Sequence, residues 1–277
     1  MDSKPKKTVF IDLEEIIRAK SPRLAKFLPK FLINYIKHIV HLNDLNEVIE
    51  NNKQEVGLSF IKNALRDMGT QTKVYGSENI PKTGRFIFAS NHPLGGLDGM
   101  ILINEVGKTH PNIKFIVNDL LLNVRNFGDI FVPVNKLGRQ TTEYARRIDA
   151  TYQSNDQVLY FPAGLCSRKI KGKITDLAWQ KSFIVKAIKY ERDIVPVFFE
   201  GKNSNFFYNL ANFRKLLKIK ANVEMFFLVN EMFKQRNKMI SITFGPVIPY
   251  ITFDSSKTPA AWANYVREKV YSLKNLS

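Results

Sequence analysis

The sequence predicts an α/β fold: a mixed, largely parallel sheet flanked by helices, preceded by a helical segment. From residue 72 onward, short β-rich runs (TKVY, RFIFAS, IKFIV, DIFVPV, QVLYFPA, IVPVFF and MISITFG) recur with helical stretches between them, the rhythm of strand–helix units. Before the first run, apolar residues recur at three- and four-residue spacing, the period of an amphipathic helix. The composition, 44% hydrophobic and 24% charged over 277 residues, is that of a globular chain able to bury a large core.

Taken in order, residues 9 to about 70 read as helical, interrupted by Pro22 and Pro29 and ending near Gly69. Leu24, Phe27, Leu28, Phe31, Leu32, Tyr35, Ile36 and Ile39 form one stripe, and Arg23, Lys26, Lys30, Asn34 and Lys37 share the other side. We divide the chain into a helical, membrane-docking segment over 1–70 and an α/β domain over 71–277. For any one of these helices the plainer alternative is packing on the main domain with solvated lysines outside. Within the domain, helices are expected at 98–107, 119–127, 139–155 and 178–191. Helical periodicity returns over 206–236, where Phe206, Leu210, Phe213 and Leu217 fall on one side with Arg214, Lys215, Lys218 and Lys220 nearby. The stretch PAAWANYVREKVYSLKN reads as a C-terminal helix opened by Pro259.

Charge narrows the partners. Forty-two Lys and Arg against 25 Asp and Glu give a formal net charge of +17, which attracts polyanions, nucleic acid and anionic lipid alike. The cations lie beside bulky apolar stripes and no nucleic-acid-binding module is recognisable, so the expected partner is anionic membrane lipid and not nucleic acid. The N-terminus MDSKPKKTVFIDLEEI has no long apolar stretch behind its charges, and no segment approaches the ~18 apolar residues of a membrane span. These features predict a cytoplasmic protein, peripheral on the inner face of the cell membrane. The single Cys166 excludes an internal disulfide and a cysteine-based zinc cluster, and no bound metal is expected.

The segment SNHPLGGLDGM, residues 90–100, carries the candidate chemistry. His92 follows a strand and precedes a helix expected near Asp98, the position where α/β sheets gather functional groups. A neutral imidazole, with an ordinary pKa of about 6.5, can take a proton if a partner fixes its tautomer. Asp98 is the local candidate, and Gly95 and Gly96 let the loop fold back to bring it there. Two plainer readings stand beside this: Asp98 as a helix N-cap and His92 as a satisfied loop histidine.

The wider pattern resembles the phospholipid and glycerol acyltransferase superfamily. That family's first signature is Asn-His with Asp at the fifth residue after His; here Asn91-His92 is followed by Asp98 at the sixth. The longer form NHPLGGLDG is similar to the hemolysin-like branch, which includes acyltransferases making ornithine lipids and N-acylglycine. Gly128-Asp129-Ile130-Phe131-Val132-Pro133-Val134-Asn135-Lys136 resembles the second block, with Lys136 and Arg139 as the nearest cations to its usual arginine. Phe161-Pro162-Ala163-Gly164-Leu165-Cys166-Ser167-Arg168 stands for the third block, usually Phe-Pro-Glu-Gly-Thr-Arg-Ser. Its glutamate is absent and its arginine displaced to Arg168. Ile194-Val195-Pro196-Val197 matches the fourth. The four blocks stand in family order over roughly residues 72–205.

The resemblance implies a glycerol-3-phosphate acyltransferase-like fold and transfer of a fatty acyl group from an acyl-carrier-protein or CoA thioester, with no bound cofactor. His92 would be the general base, oriented by Asp98. Asn91, Gly95, Gly96, Lys136, Gly164 and Arg168 would lie on the substrate side. The acceptor is a glycerolipid or lysophospholipid hydroxyl, or a small amino-acid amine, a choice that the missing third-block glutamate leaves open. Alternatives are a noncatalytic anionic-lipid-binding protein and, less favoured, a nucleic-acid binder. A serine hydrolase lacks its G-x-S-x-G, and a phosphate-binding loop at Gly107-Lys108-Thr109 lacks a glycine where Leu102 stands. Cys166 reads as a small apolar filler in preference to a nucleophile.

Overall fold

The computed structural model describes residues 29–118, 125–134, 142–219 and 222–276, together with 14, 18 and 26. Among them seven strands form one sheet: β1 Gln71–Tyr75, β2 Phe86–Ser90, β3 Ile113–Asn118, β4 Phe131–Val134, β5 Gln157–Tyr160, β8 Asp193–Phe199 and β9 Met239–Phe244. Their order is β1-β9-β8-β2-β5-β3-β4, parallel at every pairing except β8 with β9. A separate antiparallel hairpin joins β6 Arg168–Ile170 to β7 Lys173–Thr175. The sheet is mixed and largely parallel, as the strand–helix rhythm predicts.

β2 shows why this pattern makes a two-sided core. Its five residues FIFAS are all buried, and they alternate between two clusters: Phe86 and Phe88 on one face, Ile87 and Ala89 on the other. The first face is covered by α3 (Leu58–Asp67) and α4 (Gly96–Gly107), which contribute Phe60, Ile61, Leu65, Leu97, Ile101 and Leu102. The second is covered by α5 (Thr142–Gln153), α6 (Ser182–Tyr190) and α9 (Pro259–Ser272), through Tyr152, Phe183, Ile184, Trp262 and Val266. Pro259 opens α9 and the Thr258 hydroxyl caps it, accepting from the Ala261 N–H at 3.2 Å.

In the N-terminal region, α1 (Lys30–Ile39) and α2 (Leu42–Asn51) precede α3. α3 is integral to the main core: a Cβ on Gly107 of α4 would stand 2.7 Å from the Leu58 side chain, so the two helices meet at glycine distance. Burial of Phe60, Ile61 and Leu65 contributes roughly 1.5–3 kcal/mol each. α1 buries no residue, and its Phe31 and Tyr35 are exposed. The helical expectation over 206–236 resolves into α7 (Asn205–Leu216), a 3-10 turn at Val223–Phe227 and α8 (Leu228–Phe233).

Two local features depart from the sequence reading. The hairpin β6–β7 was not expected; Lys171 and Gly172, at φ 48° and 78°, make its two-residue turn, and Gly172 was its signal. Of the helix expected over 119–127, residues 119–124 lie outside the described residues and Arg125–Phe127 form a 3-10 turn instead. No helix among the described residues is long and apolar enough to cross a membrane.

Candidate active site

β2 is an interior strand, and the chain leaving its carboxyl end is fixed immediately. The Asn91 amide continues the β2–β8 ladder by one rung: Nδ2 donates to the Phe199 carbonyl at 2.9 Å and Oδ1 accepts the Phe199 N–H at 2.7 Å. His92 is held through its backbone as well, its N–H donating to Asp176 Oδ1 at 3.2 Å and its carbonyl accepting the Ser167 N–H at 2.7 Å. The ring stacks on Phe161, centroids 4.0 Å apart and planes 18° from parallel.

Gly95, at φ 76° and ψ −123°, turns the chain into α4, which begins at Gly96, two residues earlier than the sequence suggests. Asp98 is therefore not the N-cap but sits in the first turn. From there its fully buried carboxylate reaches back to accept the Leu94 N–H at 2.8 Å and the Gly99 N–H at 2.9 Å. His92 Nδ1 lies 3.1 and 3.2 Å from the two carboxylate oxygens. A carboxylate only accepts, so Nδ1 carries the ring proton and Nε2 is left as the basic nitrogen. The His92 side chain keeps 16% of its surface exposed.

Burial opposes a charge on this imidazole. The Asp98 carboxylate beside the ring outweighs that penalty and holds the pKa well above the ordinary 6.5. Cys166 is buried beside the site among Phe207, Tyr208 and Leu228.

The third block lies alongside the His92 loop. Phe161 supports the ring, and Gly164, at φ 66°, closes the turn with its N–H donating to the Phe161 carbonyl at 2.9 Å. Arg168 is buried with its guanidinium engaged inward, donating to the carbonyls of Cys166 at 2.7 Å and Ser167 at 3.3 Å and to Glu224 Oε1 at 2.9 Å. Arg214 meets the same glutamate at 2.7 Å. Gly96 stands with space for a side chain, a Cβ there reaching only ordinary contact with Met232 Sδ at 3.7 Å. Lys136 lies outside the described residues.

Asp176 is the residue the sequence did not disclose. It accepts from the His92 N–H, from Ser167 Oγ at 2.6 Å and from Trp179 Nε1 at 2.9 Å, while its own N–H donates to the Tyr271 hydroxyl at 2.8 Å. Burial raises its pKa against those hydrogen bonds. Within KGKITDLAW it has no local mark beyond a loop aspartate.

Gly95 is more tightly constrained than Gly96. A Cβ there would stand 3.2 Å from Leu228 Cδ2 and 3.4 Å from Cys166 Sγ, at a φ/ψ combination that only glycine adopts freely. Gly95→Ala is expected to cost about 1–3 kcal/mol of stability, read as a lower midpoint in urea denaturation. An unchanged midpoint would contradict the strained turn. Among the described residues, no group of three or more His, Cys, Asp or Glu side chains is arranged to hold a metal ion.

Comparison with known proteins follows the same lines. The model of the acyltransferase family matches residues 15–277. A lyso-glycine lipid O-acyltransferase of Bacteroides thetaiotaomicron is 47% identical over 264 residues, covering 95% of this chain and 97% of that protein. A protein of the same description from Phocaeicola vulgatus is 43% identical, covering 95% of each. The crystal structure of the 1-acyl-sn-glycerophosphate acyltransferase PlsC from Thermotoga maritima aligns with 88% of this chain and 92% of its own, at 19% identity and a TM-score of 0.46. Matched over nearly its whole length, and carrying the four blocks around His92 in order, the chain belongs to the acyltransferase family.

Proposed function

We propose that this acyltransferase moves a fatty acyl group from an acyl-carrier-protein or CoA thioester to a hydroxyl of a lyso-glycine lipid at a membrane surface. The observation that carries the mechanism is the His92–Asp98 pair, with Nδ1 anchored on a buried carboxylate and part of the ring exposed at the carboxyl end of β2. The acceptor hydroxyl gives its proton to Nε2 as its oxygen attacks the thioester carbonyl. The tetrahedral intermediate collapses with cleavage of the C–S bond, and the imidazolium returns the proton to the departing thiolate. No covalent enzyme intermediate is required. Asn91, Gly95 and Gly164 act by shaping the loop around the acceptor, and Arg168 by fixing the Cys166–Ser167 backbone. The relatives' activity on oxygen favours a hydroxyl over an amine.

Incubating the purified protein with a lyso-glycine lipid and either thioester is expected to yield the O-acylated lipid by mass spectrometry. Acylation of lysophosphatidate alone would refute the acceptor assignment.

Exposed apolar side chains support docking on lipid: Phe31 and Tyr35 on α1, and Phe206, Phe213 and Leu216 on α7, beside Lys30, Lys37, Lys215 and Lys218. The Val223–Phe227 turn contacts both helices, which joins the two stretches into one surface. Phe31→Asp combined with Phe213→Asp is expected to lower cosedimentation with anionic liposomes roughly tenfold or more. Turnover of detergent-dispersed lipid should be preserved. Equal sedimentation of variant and wild type would remove the docking surface. Because α3 belongs to the main core, point substitutions test docking where deletion of residues 1–70 would also remove core packing.

A further inference from the structure

A second feature adjoins the His92 loop along the carboxyl edge of β8. Beyond Phe199 the chain enters a cavity of about 300 Å³ between the end of β8 and the start of β9, lined among others by Glu200, Gly201, Lys202, Gln235, Lys238 and Ser241. The Glu200 N–H donates to the Ser241 carbonyl at 3.1 Å, which fixes one wall. Gly201 packs on Leu94 so closely that a Cβ would stand 2.9 Å from its side chain. Leu94 is the residue whose N–H binds Asp98, so the Gly201 wall of the cavity packs directly on the loop that carries His92.

The charges in this cavity differ from those around it. Nearby Lys234 is paired with Glu231 at 2.7 Å and Arg236 with Asp44 at 3.4 Å. Lys238 instead donates to a neutral amide, Gln235 Oε1, at 3.3 Å. Lys202 and Lys238 are both exposed, and Glu200 is the lone acid of the lining, which leaves one net positive charge.

We propose that this cavity receives the carboxylate of the acceptor, with Lys202 and Lys238 as its cations. The inference rests on the function proposed above. Glycine attached to a fatty acid through nitrogen keeps one ionised group, its carboxylate, and has no hydroxyl of its own. The oxygen that accepts the acyl group must therefore lie on the fatty chain, on the same molecule as the carboxylate. A cationic recess beside the loop that carries the base meets that geometry. A net charge of one matches a carboxylate monoanion better than a phosphate monoester near its dianion, which the Glu200 carboxylate repels.

The test compares a hydroxyacyl glycine with its carboxamide analogue as acceptors, for wild type, Lys202→Gln, Lys238→Gln and the double variant. With the carboxylate acceptor, the double variant is expected to raise KM by roughly 10–100-fold, with kcat within about twofold of wild type. With the carboxamide, KM should not move. A KM unchanged for the carboxylate, or raised equally for both acceptors, overturns the cavity assignment while wild-type turnover of the hydroxyacyl glycine upholds the function. Wild-type turnover of lysophosphatidate but of neither glycine compound overturns both.

Discussion

His92→Ala is expected to lower kcat/KM by about 10²–10⁴-fold, and also to lower the thermal midpoint, because it leaves the buried Asp98 carboxylate without the imidazole it faces. A variant that retains wild-type turnover would end the general-base assignment. The pH dependence adds a second reading. On the proposed mechanism the neutral imidazole is the active form; with its pKa raised, kcat/KM should fall with acid through a pKa lying above 6.5. Stability runs the other way. A group whose pKa is higher in the folded state stabilises it fully below the unfolded pKa of about 6.5, and that contribution is lost as pH rises through the folded value. The acidic side of the range should favour the fold and the alkaline side the reaction, which urea denaturation and initial rates measured over one pH series would compare.

Asp98→Asn is expected to cost a similar factor, about 10²–10⁴-fold in kcat, for a different reason. The carboxylate accepts from Nδ1, from Leu94 and from Gly99 at once. An amide has one accepting oxygen and an NH2 that must donate. If its oxygen keeps the backbone N–H groups, the NH2 faces Nδ1, the ring proton moves to Nε2, and the acceptor hydroxyl meets a donor instead of a base. The acid limb of the rate profile should also shift to lower pH, because the charge that raises the His92 pKa is gone. Full turnover with an unshifted limb would show that Asp98 serves only the loop backbone, through the Leu94 and Gly99 N–H groups.

What the sequence disclosed and what it hid divide along a physical line. β2 was legible because its run of apolar residues, each face buried, sits between helical stretches, and the structure sends Phe86 and Phe88 one way and Ile87 and Ala89 the other. The His92–Asp98 pairing was legible because both residues share one short loop with glycines between them. Asp176 was not, since its contact with His92 joins residues 84 positions apart and depends on how β5, the hairpin and α9 pack. The same holds for Arg168, whose partner Glu224 lies 56 residues onward. The start of α4 was misplaced because Asp98 resembles an N-cap, whereas the strained Gly95 sets the boundary.

The hydrogen bond from the Asp176 N–H to the Tyr271 hydroxyl links the last helix to the backbone of His92 through one carboxylate. Arg267 reinforces it, donating to Thr175 Oγ1 at 2.6 Å. Docking of α9 on the sheet and the placing of the His92 backbone are therefore mechanically coupled, so a change that loosens Tyr271 is felt at the His92 loop.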